Sequence, residues 1–279
     1  MSGSVLHDVP GPRGRRRIAI ASAVAALALI GLGALVIRRL AANGQFNSGK
    51  WSPLFNPGDK DFPDVWRLLG GGLLHTLTAA ALAAVFSLVF GVLIAMSRIS
   101  AARWYRWAVV GAVELLRGVP VVIAVFFAAQ VLPAYGVRLP LLWYIVIGLT
   151  AYNSVVISEI VRAGVLAVPK GQTEAASALG LTRGQTLRVI LLPQAFRSML
   201  PALLSQLVVI IKDTSLGAFI SYEELLRRGL ITVQTLHNPI QTYLLLAAIF
   251  ILINYLVTRL AIYLEARLSG RRSGRPVPG

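Results

Sequence analysis

Between Ile18 and Ile37 the chain runs for 20 residues without one charged side chain. A run of about 18 or more apolar residues is long enough to cross the hydrocarbon core of a bilayer as a helix, which satisfies its own backbone hydrogen bonds. Five further apolar stretches follow, at about 70–97, 107–133, 140–165, 195–220 and 240–264. Of all residues 56% are hydrophobic and 14% charged, where a soluble domain carries nearer a quarter charged. The pattern predicts an all-α integral membrane protein with about six transmembrane helices. The third stretch is interrupted by Glu114, Arg117 and Pro120, and the fifth contains Lys212-Asp213.

The net charge of +16 could signal nucleic acid, but the basic residues sit at the ends of apolar runs and between them. No basic stripe interleaved with aromatics occurs, so the charge reads as the flanks of membrane spans. Arg13 to Arg17 precede the first run and Arg38-Arg39 close it. A secretory signal has a shorter apolar region, about 7 to 15 residues, ending in small residues, so this run reads as a retained span. Of 27 Lys and Arg, 17 fall on the side of the N-terminus, 8 on the other side and two inside spans. The bias predicts both termini in the cytoplasm, with the loop 41–67 outside. The tail 269–279 is basic and rich in Gly and Pro.

Several chemistries are excluded. There is no cysteine, hence no disulfide, thiolate metal site or thiol nucleophile. Neither Gly-x-Ser-x-Gly nor His-Glu-x-x-His occurs, and no metal-ligand spacing is present. His75 and His237 read as an isolated span-end residue and a loop residue. Gly44 to Lys50 imitates the start of a phosphate-binding loop, but Trp51 stands where Ser or Thr must hold magnesium, and Pro53 follows. No internal repeat supports a secondary transporter built on inverted halves.

The segment between the fourth and fifth runs is polar and small: Pro169-Lys-Gly-Gln-Thr-Glu-Ala-Ala-Ser-Ala-Leu-Gly180. Helix formers fill 174–179, and Gly180 suits the left-handed residue that ends a helix. Thr182 and Gln185 have capping-box spacing, which predicts a second short helix to about Leu192, stopped by Pro193. Ala175, Ala176 and Ala178 form a low surface on which a partner backbone can come close, and Glu174 offers a charge. An ordinary amphipathic connector is the alternative.

Glu174-Ala175-Ala176, then Gly180, Ile190, Leu192 and Pro193, together with Gly171, resemble the EAA loop of the membrane subunits of ABC importers. Leu115 to Pro120, Leu192 to Ala195 and Lys212 to Leu216 resemble the polar amino acid branch, and Val5 to Arg17 with Leu149 to Glu159 resemble its actinobacterial glutamate permeases. The resemblance covers 68–268, a permease core of the type I importer kind, with 18–40 as an extra N-terminal helix after the basic segment 1–17. It implies that the loop 169–193 is a coupling element seated in an ATPase subunit, which binds ATP and magnesium. This chain would hold no cofactor and catalyse nothing. Further implied partners are a second permease subunit, sister or identical, an extracytoplasmic substrate-binding protein and a polar amino acid. Glutamate is expected; glutamine, aspartate or a basic amino acid, and a stand-alone channel or secondary transporter, are the alternatives. Val119 departs from relatives that have Thr there.

Charges inside spans cost roughly 2.5–3.5 kcal/mol at mid-bilayer, so they pair or face a polar path. Glu114 and Arg117 are spaced to neutralise each other, and Pro120 is expected to free a carbonyl near residue 116. Lys212 and Asp213 point about 100° apart on a helix and cannot pair neatly. With Thr214, Ser215 and Asn153 these residues are the candidate substrate path, whose donors and acceptors suit a zwitterion. Glu159 is expected to pair with Arg162.

Overall fold

The computed structural model describes residues 11–100 and 103–269; the expectations for the N-terminus before Gly11 and for the tail from 270 lie outside them. Among the described residues every regular element is helical. The helices α1 (Pro12–Ala42), α2 (Ser48–Phe55), α3 (Phe62–Ser100), α4 (Arg103–Gly118), α5 (Val121–Ala134) and α6 (Leu141–Leu166) come first. They are followed by α7 (Lys170–Ala178), α8 (Arg183–Gln185), a π segment (Thr186–Leu191) and α9 (Leu192–Asp213). A 3-10 segment (Thr214–Ile220), α10 (Leu225–Leu236) and α11 (Pro239–Ser269) complete the order. Five helices are long and apolar enough to cross a membrane, and a sixth crossing exists if the bent pair α4–α5 is one span.

Helix α6 is the centre of the bundle, packed against α3, α5 and α9. Where these four meet, Ala79, Ala80, Ala83, Val125, Ile145, Leu149, Ile210 and Ile211 form the main core. Small residues set the spacing, because hydrocarbon gives helices no hydrophobic reason to associate and close packing must do so. A Cβ on Gly148 would stand 2.5 Å from the Val125 Cα, and one on Gly91 would stand 2.6 Å from the Ile157 Cγ2. Both crossings are therefore closed by glycine. Helix α1 buries none of its residues against the rest of the chain.

The third apolar stretch is broken at Pro120, as its interruption in the sequence predicts. Helices α4 and α5 meet at 99° across Val119 and Pro120. The carbonyl of residue 116 is not freed: the Val119 N–H donates to it at 3.2 Å, which closes the turn before the proline.

The loop expected over 41–67 contains α2. The Asn47 side chain accepts from the Gly49 N–H and starts it. That loop is fastened to the start of α11, where Gln241 Nε2 donates to the Gln45 carbonyl (2.5 Å) and Asn238 Nδ2 to the Lys50 carbonyl (3.1 Å).

The second apolar stretch, expected from about residue 70, belongs to a helix that begins earlier, at Phe62, and Gly70 to Gly72 lie inside it. They are where α10 crosses: a Cβ on Gly72 would lie 2.9 Å from the Leu225 Cα. His75 is not isolated. Its ring stacks on Tyr222 at 5.8 Å, and its Nδ1 lies 2.9 Å from the Glu223 carbonyl. His237 does end α10 in a left-handed turn, φ 51°.

Candidate functional site: a coupling segment and a polar break

Helix α7 begins directly after Pro169, whose fixed φ suits a helix entry. Its exit is a complete Schellman turn. Gly180 sits at φ +75°, its N–H donates to the Ser177 carbonyl (3.0 Å), and the Leu181 N–H donates to the Ala176 carbonyl (3.1 Å). The expected capping box is present: Thr182 Oγ1 accepts from the Gln185 N–H, and Gln185 Oε1 accepts from the Thr182 N–H at 2.8 Å.

Beyond it the chain differs from expectation. Pro193 does not stop a helix; it lies in the first turn of α9, and the helical track runs through it. A proline ring collides with the carbonyl four residues back. The widened π turn over Thr186–Leu191 takes up that collision, a common cause of such bulges. Gln194 Nε2 then donates to the Ile190 carbonyl (2.9 Å) and to Gln172 Oε1 (3.1 Å), tying α7 to α9.

The alanines of α7 do not share one face. Ala176 is 3% exposed and turned into the protein, whereas Gly171, Glu174, Ala175 and Ala178 are exposed. Adjacent helical residues point 100° apart, so 175 and 176 cannot both face out. Leu179, at 80% exposure, sits at the tip beside the exposed Gly180. The sequence reading missed Leu179; its signal was an apolar residue directly before the terminating glycine. Ile190 and Leu192 are half-buried and Pro193 is exposed.

The second group lies where α9 ends at Asp213 and the chain tightens into the 3-10 segment. Thr214 is buried and its hydroxyl donates to the Ile211 carbonyl (2.7 Å); the Ser215 hydroxyl donates to the Lys212 carbonyl (2.7 Å). These hydroxyls tighten the turn. Lys212 is exposed and Asp213 half-buried. Lys212 and Ser215 line a cleft of about 460 Å³ against α10 and α11, together with Tyr243 and Asn254. Asn254 Oδ1 is buried without a hydrogen-bond partner. Tyr243 and Asn254 were not found by sequence reasoning, which had no way to align α11 beside Lys212.

Asn153 is fully buried. Its Nδ2 donates to the Leu149 carbonyl (2.8 Å) and its Oδ1 accepts from Gln206 Nε2 (2.6 Å), so it bridges α6 and α9. Glu114 and Arg117 are both exposed near the end of α4, and among the described residues no ion pair joins them. Glu159 pairs with Arg162 (2.9 Å) as expected, and also with Arg98 of α3, so one carboxylate holds two cations at the ends of α3 and α6. The Arg98 partner was missed because it is 61 residues away.

At the opposite end of the bundle Glu224 is buried, and burial pushes its carboxyl up to about 7. The rise is opposed by N–H bonds from Leu226 (2.7 Å) and Arg227 (2.8 Å), because Glu224 is the cap of α10.

The described residues thus form a helical bundle with a bent helix pair, a polar turn beside a cleft, and a short polar helix with an exposed edge. Residues 87–270 match the family described as the binding-protein-dependent transport system inner membrane component. The glutamate transport system permease protein GluD of Corynebacterium glutamicum is 37% identical over 243 residues, covering 85% of this chain and 86% of that protein. The L-cystine transport system permease protein TcyB of Bacillus subtilis is 34% identical, covering 73% and 87%. Among solved structures, an amino acid ABC transporter crystallised with histidines aligns with TM-score 0.68 and 28% identity, over 74% of this chain and 96% of that one. The chain belongs to the binding-protein-dependent transport system inner membrane component family. It is a non-enzymatic permease subunit of an ABC amino acid importer.

Proposed function

We propose that this permease carries glutamate, and the observation that supports it most is the length of the match to GluD: 243 residues, against 204 for the L-cystine permease. In this reading both termini face the cytoplasm, and the exposed edge of α7, with Gly171, Glu174, Ala175 and Leu179, seats in a partner ATPase. The ATPase binds ATP and magnesium; this chain holds no cofactor. Gly180 fixes the angle between α7 and the segment that follows, while Ile190, Leu192 and Pro193 connect that segment to α9. Motion of α7 therefore reaches the bundle through α9 without a flexible joint, and the bundle rocks between two openings.

A second permease subunit completes the path, and an extracytoplasmic binding protein delivers the amino acid. Lys212 offers ammonium donors to a carboxylate of the substrate, and Asn254 Oδ1 and the Tyr243 hydroxyl accept from its ammonium group. Asp213 supplies an opposing charge. Thr214, Ser215 and Asn153 hold the geometry, since their side chains already bond within the chain. Glu114 and Arg117 stand at the α4–α5 break, each open to the substrate or to the second subunit.

The test is uptake of labelled glutamate by vesicles holding the assembled complex, its binding protein and internal ATP, with a panel of unlabelled amino acids in competition. Glutamate should compete best. Stronger competition by glutamine, cystine or arginine would remove the assignment to glutamate.

A further inference from the structure

We propose that the cleft between the coupling segment and the ends of α3 and α6 binds an anionic membrane lipid, holding its phosphate headgroup and the first part of an acyl chain. The cleft measures about 430 Å³. Its apolar lining includes Ile99, next to the last residue of α3, and Leu166, the last residue of α6, the two helices being long and apolar enough to cross a membrane. The cleft therefore stands at the ends of two candidate membrane spans. Leu166 is 65% exposed, an apolar side chain that hydrocarbon would cover.

The rim has the opposite character. Lys170 and Arg183 line it, and among the described residues neither makes an ion pair or a side-chain hydrogen bond. Thr173 adds a hydroxyl, and no acidic side chain lines the cleft. Two cations without counter-ions over an apolar floor complement a ligand with a negative head and a greasy body. A soluble phosphate would use the rim and leave the floor bare. The site is distinct from the exposed edge of α7, and it does not depend on which amino acid is carried.

The experiment uses the assembled complex, stripped of lipid in detergent and titrated with phosphatidylglycerol or phosphatidylcholine, with bound lipid counted by native mass spectrometry. One basic side chain near an anionic surface contributes about fivefold. The double variant Lys170→Gln/Arg183→Gln should hold phosphatidylglycerol about 25-fold more weakly, while Lys60→Gln, in the loop at the other end of α3, leaves binding unchanged. Each single variant should lose about fivefold, which decides the matter if the double variant does not assemble. Phosphatidylcholine should bind all forms equally and weakly. Unchanged phosphatidylglycerol binding in the double variant overturns the proposal. So does displacement of the lipid by millimolar inorganic phosphate, which would mark a soluble-anion site, or failure to bind lipid only while the ATPase is attached, which would mark the cleft as part of the ATPase seat.

Discussion

Replacing Gly148 by alanine adds one methyl group to the centre of the bundle. That carbon would lie 2.5 Å from the Val125 Cα and 2.8 Å from its N, both backbone atoms, where ordinary contact begins at 3.4 Å. Side-chain rotation cannot relieve it, so α5 must retreat from α6 by about 0.9 Å, the difference between those contacts. Overpacking of this kind costs about 1–3 kcal/mol. The same substitution at Gly111 meets nothing within 4 Å and should be neutral or slightly stabilising, since alanine is the better helix former. The two variants would be compared by thermal unfolding of the purified permease, alongside ATP-driven uptake. Gly148→Ala should unfold at lower temperature and transport less, because α5 carries Phe126 against Phe219 of the 3-10 segment (6.3 Å between rings). Equal midpoints for the two variants would refute the close α5–α6 crossing.

Glu159 holds both Arg98, whose side chain is 11% exposed, and Arg162. Glu159→Gln leaves two facing cations and should destabilise by between about 1 kcal/mol, as for an exposed pair, and about 3 kcal/mol, as for a buried one. Arg98→Gln, which keeps the Arg162 pair, should cost less; the ranking is read from denaturation of the two proteins. Glu224 gives a pH dependence. Its folded value of about 7 lies above the ordinary 4.5, so the folded state holds the proton more tightly. Stability is fully present below about 4.5 and declines as pH rises through 7, by up to about 3 kcal/mol. Glu224→Gln, which cannot ionise, should flatten the decline between pH 5 and 8; an unchanged slope would exclude Glu224 as its source.

Much of the fold was legible because membrane physics leaves few choices. Uninterrupted apolar runs must be helices, and their spacing placed six stretches close to where the helices lie. Gly180 and the Thr182–Gln185 box were legible for a local reason, since the chemistry of a helix end is carried by the residues at that end. The misreadings came from tertiary packing. The expected start of the second stretch, near residue 70, is a crossing for α10, a fact carried by Leu225. Pro193 looked like a stop, and a π turn accommodates it. Glu114 and Arg117 have pairing spacing yet do not pair, whereas Glu159 found Arg98, whose distance in sequence hides it. Asn153 bonds to Gln206, a partner 53 residues away that the sequence could not show.

The measurement that bears most directly on the account is uptake and substrate-stimulated ATP hydrolysis by the assembled complex carrying Ala175→Trp. Ala175 is exposed on α7, so a large side chain there should leave the unfolding midpoint of the permease unchanged. Ala176→Trp, by contrast, should lower that midpoint, because Ala176 is buried in the chain itself. The account predicts that Ala175→Trp loses both uptake and stimulation while the permease remains folded. Uptake and ATP hydrolysis at wild-type levels in Ala175→Trp would contradict the claim that α7 is where ATP is coupled to transport.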